Sequence, residues 1–162
     1  MSDAPRISIR HTDGNDVPLL FQLIRELADF ERIPHEVSAT EEIIRESLFG
    51  DSPAAVALLA EVDGKPAGFV VYFNNFSTFV GKTGIYIEDL FVRPEYRGLG
   101  VGKALFLRCA EIARARGLGR VEFAVLDWNP ARKFYERFGA RAMEDWVLYR
   151  LAGNALKSLD RS

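Results

Sequence analysis

Apolar positions along the chain recur with two different periods, and the points where the period changes divide it into elements. Arg6 to Arg10 alternates polar and apolar residues, the pattern of a half-buried strand. From Val17 onward the spacing becomes helical, through Val17, Leu20, Ile24, Leu27 and Ala28, and that helix should end before Pro34. A second, shorter helix is marked by Ser38 or Thr40 as N-cap, acids in its first turn and Gly50 as its stop. The stretches AAVALLAEV and DGKPAGFVVYF then read as two strands joined at Asp63-Gly64. TGIYIEDLFV is a fourth strand, ended by Arg93-Pro94. Val101, Ala104, Leu105, Ile112 and Ala113 mark a long helix that closes near Gly117. RVEFAVLDW reads as a fifth strand. NPARKFYERFG reads as a helix with Asn129 at the N-cap, Pro130 at the first helical position and Gly139 just past the end. Trp146 to Ala152 reads as a final strand.

This order predicts an α/β fold. An antiparallel beginning followed by a crossover helix implies a mixed, mostly antiparallel sheet with helices on both faces. The right-handed crossover rule makes strands four and five parallel, joined by the long helix. A length of 162 residues suits a single domain, 1–162, with one sizeable core. A net charge of -2 gives no global basic field and so no reason to expect nucleic acid. No apolar run approaches the roughly 18 residues of a membrane span, and the N-terminus lacks the apolar core of a signal peptide. The one cysteine, Cys109, cannot form an intrachain disulfide and fits a reducing compartment, so the expected location is the cytoplasm. His11 and His35 lack metal-ligand spacing, and no metal is expected.

Candidate chemistry concentrates where the fourth strand gives way to the long helix. Gly98, Gly100 and Gly102 alternate behind Arg97. Glycines at such a turn let backbone approach a ligand closely, and the helix N-terminus adds partial positive charge. Together they favour phosphate or pyrophosphate. The spacing fits neither G-x-G-x-x-G nor the P-loop, since Ala104 and Leu105 follow Gly102-Lys103. Two acids, Glu88 and Asp89, interrupt an otherwise apolar strand. Neighbours in a regular strand point to opposite faces, so only a β-bulge could re-aim one of them.

The Arg97-x-x-Gly100-x-Gly102 signature at a strand end resembles the coenzyme-binding motif of the GNAT N-acetyltransferases, and the order of elements resembles that fold over essentially the whole chain. LIRELADFE, YIEDLFVRPEYRGLGVG, the segment around Trp128-Asn129 through Phe134 to Ala140, and Glu144-Asp145-Trp146 are similar to the branch containing polyamine and thialysine acetyltransferases. The resemblance implies acetyl-CoA as donor. Its pyrophosphate would lie on Arg97, Gly98, Leu99, Gly100, Val101, Gly102 and Lys103. Its pantetheine arm would lie along Leu90, Phe91 and Val92, between strands four and five, which splay apart. It implies further coenzyme contacts at Asn129, Ala131 and Arg132. Acceptor contacts are implied at Phe30, Glu31, Glu88, Asp89 and Asp127, and the assembly implied is a homodimer.

Acetyl transfer to an amine needs a proton acceptor, because a free alkylammonium has a pKa near 10.4. It needs polarisation of the carbonyl and a proton for the departing thiolate. Glu88 is the expected proton acceptor, directly or through water, and Asp89 the cation-site or orienting residue. Backbone N–H groups near Phe91 or Val92 are the expected polarisers. Tyr135 is the expected acid, since a phenol near pKa 10 can protonate a thiolate. The expected acceptor is a small cationic amine: a polyamine, a diamine or a thialysine-like amino acid. The rival readings are a protein lysine or N-terminal acetyltransferase and a non-catalytic acyl-CoA-binding module.

Overall fold

The computed structural model describes residues 4–159; the first and last three residues, part of the expected 1–162 domain and of its N-terminal segment, lie outside them. These residues form two compact units, 4–124 and 125–159. The larger unit runs β1 (Ile7–His11), α1 (Val17–Phe30), α2 (Glu41–Phe49), β2 (Val56–Val62), β3 (Lys65–Ser77), β4 (Lys82–Val92), α3 (Val101–Ala115) and β5 (Val121–Phe123). The smaller unit contains α4 (Ala131–Glu136) and α5 (Gly153–Lys157).

Local signals set most boundaries. Thr40 accepts the Ile43 N–H and caps α2. Asp63 and Gly64 both take positive φ, 50° and 76°, the mirror-image turn that a tight β2–β3 hairpin requires. Pro18 sits in the first turn of α1, where its missing N–H costs nothing.

The sheet order is β1-β2-β3-β4-β5. The first three pairings are antiparallel and β4–β5 is parallel, as the crossover rule requires. Helices cover both faces. Leu20, Leu23 and Leu27 of α1 form a buried cluster with Ala57, Leu59, Phe69 and Phe91. On the other face α3 buries Val101, Leu105, Phe106, Cys109 and Ala113, and Phe106 meets Phe123 of β5 edge-on at 5.8 Å. Burying an aliphatic or aromatic side chain contributes roughly 1.5–3 kcal/mol, so these two layers dominate the stability of the unit.

Two expected strands are corrected. β5 covers only Val121–Phe123 rather than residues 120–128, because its partner β4 leaves regular pairing after Ile87. Trp146 to Ala152 is irregular rather than extended into a ladder, and Trp146, Val147, Leu148 and Tyr149 are all exposed. A strand needs a neighbouring edge to bond to, and an apolar pattern by itself does not supply one.

Candidate active site

The site in the larger unit begins with one extra residue. Val71 of β3 pairs with Asp89, but the next residue, Tyr72, pairs with Ile87. Glu88 is therefore left over, the two-against-one count of a β-bulge. The bulge shifts the strand's alternation. Ile87 lies opposite Tyr72 on the α3 face, whereas Asp89 and Phe91 lie opposite Val71 and Phe69 on the α1 face. Parallel pairing with β5 ends at the same place, at Ile87↔Phe123. The β4 segment from Glu88 to Val92 thus continues beyond its β5 register.

The acids meet at this point. Asp89 is partly buried and Glu88 is exposed. Burial pushes the Asp89 carboxyl up to about 6, and the charges of Glu88 and Glu31 push it in the same direction. Burial also raises Glu31, which follows the last residue of α1 as its C-cap. Asp89 has no ion-pair partner among the described residues. Three carboxylates from the end of α1 and the middle of β4 therefore share one neighbourhood, the arrangement that stabilises an added cation.

The glycine loop follows. Arg93, just past β4, makes a bidentate pair with Glu26 of α1, with both N–O distances 2.9 Å, and its Nη1 donates to the Pro66 carbonyl at 3.1 Å. Pro94 starts a short 3-10 turn, and the chain then passes through Gly98 and Gly100, at φ 80° and 91°. Those values require glycine. Gly100 is the N-cap of α3 and supplies no side chain, so no side-chain cap hydrogen bond covers the first amides of the helix. The outer side of the loop is open: a Cβ at Gly98 would meet nothing within 4 Å, and one at Gly100 only Ile7 at 3.9 Å. Gly102 faces the sheet, where a Cβ would touch Val92 and Leu90. Leu99 and Lys103 are exposed and Val101 is buried.

Two expected coenzyme residues use their side chains elsewhere. Phe91 is 4% exposed and packs against Phe69 and Phe30, so only its backbone faces the strand edge. The Arg97 guanidinium lies over the Phe30 ring, 4.5 Å from its centre, and its Nε donates to the Val92 carbonyl at 3.0 Å. Sequence reasoning missed the Arg93–Glu26 clamp.

The smaller unit holds the remaining candidates. The Asn129 side-chain oxygen accepts the Ala131 N–H at 2.9 Å, but the N-cap of α4 is Pro130 rather than the expected Asn129, and the helix starts at Ala131. Arg132 donates to the Asp127 carbonyl at 3.3 Å, while the Asp127 side chain is exposed. Tyr135 lies on α4 beside Phe134, with ring centres 5.1 Å apart, and Phe134 in turn meets Phe138.

A family profile described as "Acetyltransferase (GNAT) family" matches residues 20–140. The chain belongs to the GNAT acetyltransferases. Thialysine N-epsilon-acetyltransferase of Bos taurus is 35% identical over 94% of this chain and 96% of its own. L-ornithine N5-acetyltransferase of Arabidopsis thaliana is 34% identical over 94% and 87%. Among solved structures, a Vibrio cholerae integron cassette protein superposes with TM-score 0.78 at 28% identity, covering 96% of this chain and 98% of its own. This GNAT chain is an acetyl-CoA-dependent N-acetyltransferase. The open loop with positive-φ glycines and the uncapped α3 amides fit the pyrophosphate of that donor.

Two outcomes follow from this geometry. Valine at position 100 would be forced to φ near 91° and would fill the open outer side of the loop. Gly100→Val should lose at least about tenfold in acetyl-CoA affinity by calorimetry while its far-ultraviolet circular dichroism remains that of a folded chain. Normal affinity would remove the loop from the donor site. The raised pKa of Asp89 means that its contribution to stability is present below the unfolded carboxyl value and lost as pH rises through about 6. Asp89→Asn should therefore raise Tm by about 2–4 °C at pH 7.5, the response of a chain this size to about 1 kcal/mol. The gain should vanish below about pH 4. An unchanged Tm difference across that range would refute the ionised, crowded carboxylate.

Proposed function

We propose that the chain, acting as one catalytic domain, transfers the acetyl group of acetyl-CoA to the primary amine of a small acceptor that carries a second positive charge. Polyamines, diamines and thialysine-like amino acids have this chemistry. The observation that carries the reading is the convergence of Glu31, Glu88 and Asp89 at the β4 bulge, with no ion-pair partner for Asp89 among the described residues. Relatives named for thialysine and ornithine, each a primary amine with further charge, support it.

Acetyl-CoA, when bound, supplies a thioester open to direct attack by the amine, so no acyl-enzyme is needed. The chain's own groups do the rest. Glu88, exposed at the bulge, accepts the acceptor's ammonium proton directly or through water. Asp89 and Glu31 hold the second ammonium. Backbone N–H groups near Phe91 and Val92, on the β4 segment beyond its β5 register, stabilise charge on the carbonyl oxygen. The amides of Gly98 to Lys103 hold the pyrophosphate. Tyr135 gives its phenolic proton to the departing thiolate, a transfer matched to the acidities of phenol and thiol.

Removing the Tyr135 hydroxyl takes away one proton donor and little volume. Tyr135→Phe should lower kcat by about 10²–10⁴-fold and leave the acetyl-CoA Kd unchanged, as read by thiol release and calorimetry. A full rate in a variant limited by chemistry would end the acid role. For the acceptor, a diamine should be used with a much lower KM than a monoamine of equal length, and rising salt should narrow the gap. Equal use of the two, or preference for an anionic or peptide acceptor, would overturn the acidic-site reading and favour protein acetylation.

A further inference from the structure

Arg97 opens the glycine loop, and its side chain rests against the end of α1. Its guanidinium sits 4.5 Å from the centre of Phe30 and 5.8 Å from that of Phe91, and its Nε donates to the Val92 carbonyl at 3.0 Å. Phe30 is the last residue of α1, and the next residue is Glu31. Phe30 and Phe91 are themselves 6.4 Å apart, and Phe30 packs against the cluster of α1 with the sheet. Phe30, Phe91, Arg93 and Arg97 line one open cleft of about 600 Å³ beside Glu26 and Asp29. A planar guanidinium on an aromatic face is an attractive contact that depends on orientation, and a lysine would not reproduce its fork. The loop that holds the donor is therefore fastened, through one side chain, to the helix end that presents an acceptor residue.

We propose that Arg97 is a positioning residue that couples the donor and acceptor sites by fixing the start of the glycine loop against Phe30. The inference rests on the reading of Glu31 as an acceptor contact. The chain gains from it by having the α1 end and the loop amides share one geometry, so that disturbing either side is felt at the other. An arginine acting only on the donor's phosphates would give no such reciprocity.

A double-mutant cycle on the whole chain tests this. The variants are Arg97→Leu, Phe30→Met and both together, with Phe30→Tyr and Arg97→Lys as controls. Methionine roughly conserves volume but lacks the π face. Acetyl-CoA binding is read by calorimetry and the KM for thialysine by thiol release. Phe30→Met, which lies on α1 and outside the glycine loop, should raise the acetyl-CoA Kd about two- to fivefold, the size of an exposed-to-partly-buried cation–π contact. Phe30→Tyr, which keeps the ring, should leave that Kd unchanged. Arg97→Leu should raise the thialysine KM by a similar factor with kcat little changed, and Arg97→Lys should fall between. The double variant should be no worse in either readout than Arg97→Leu, because both changes break the same contact. Additive effects, or an acetyl-CoA Kd in Phe30→Met equal to that of the parent chain, would overturn the coupling. Should the parent chain use neither thialysine nor a diamine, the acceptor reading fails by itself, while the acetyl-CoA arm still decides the role of the Arg97–Phe30 contact.

Discussion

One additional residue in β4 is the constraint on which the rest of the site depends. With Glu88 left over between Ile87 and Asp89, the strand changes phase in its middle. Ile85 and Ile87 stay buried in the sheet, and Phe91 is delivered to the α1 face, where it joins Phe69 and the leucines of α1. An unbroken alternation would place Asp89 on the same face as Ile87 and send Phe91 there as well. The bulge thus reconciles two apolar faces with two consecutive acids. It also coincides with the end of the pairing with β5, at Ile87↔Phe123.

The cost of this arrangement is local and electrostatic. Asp89 is held in partly buried surroundings near two like charges, and its carboxyl resists ionisation as a result. The α3 N-terminus is similarly left without a side-chain cap. One is a carboxylate without an ion-pair partner among the described residues, the other a helix start without a side-chain cap. The aliphatic and aromatic layers on both faces of the sheet carry the stability that offsets them. Around the site, Arg93 ties β4 to α1 through Glu26, and Arg97 ties the loop to Phe30. Two arginines four residues apart thereby fix the exit of the strand against one helix.

The sequence by itself determined whatever depends on near neighbours in the chain. Thr40 caps its helix, Asp63-Gly64 forms its hairpin, and Gly98 and Gly100 adopt the backbone conformations that only glycine takes easily. These are properties of a few consecutive residues, and hydrophobic period and crossover handedness extended them to the sheet order. The motif around Gly98 to Lys103 was legible for the same reason. Only the tertiary structure decided the rest. Which of Glu88 and Asp89 bulges depends on the register with β3, a partner some seventeen residues earlier. The end of β5 at Phe123 depends on that same bulge in another strand. The apolar run from Trp146 to Ala152 forms no ladder, because strand pattern specifies side-chain faces and not a bonding edge. Arg97 reads as a phosphate ligand in the linear motif and rests on an aromatic ring in the fold, because the destination of a long cationic side chain is set by what packing brings within its reach.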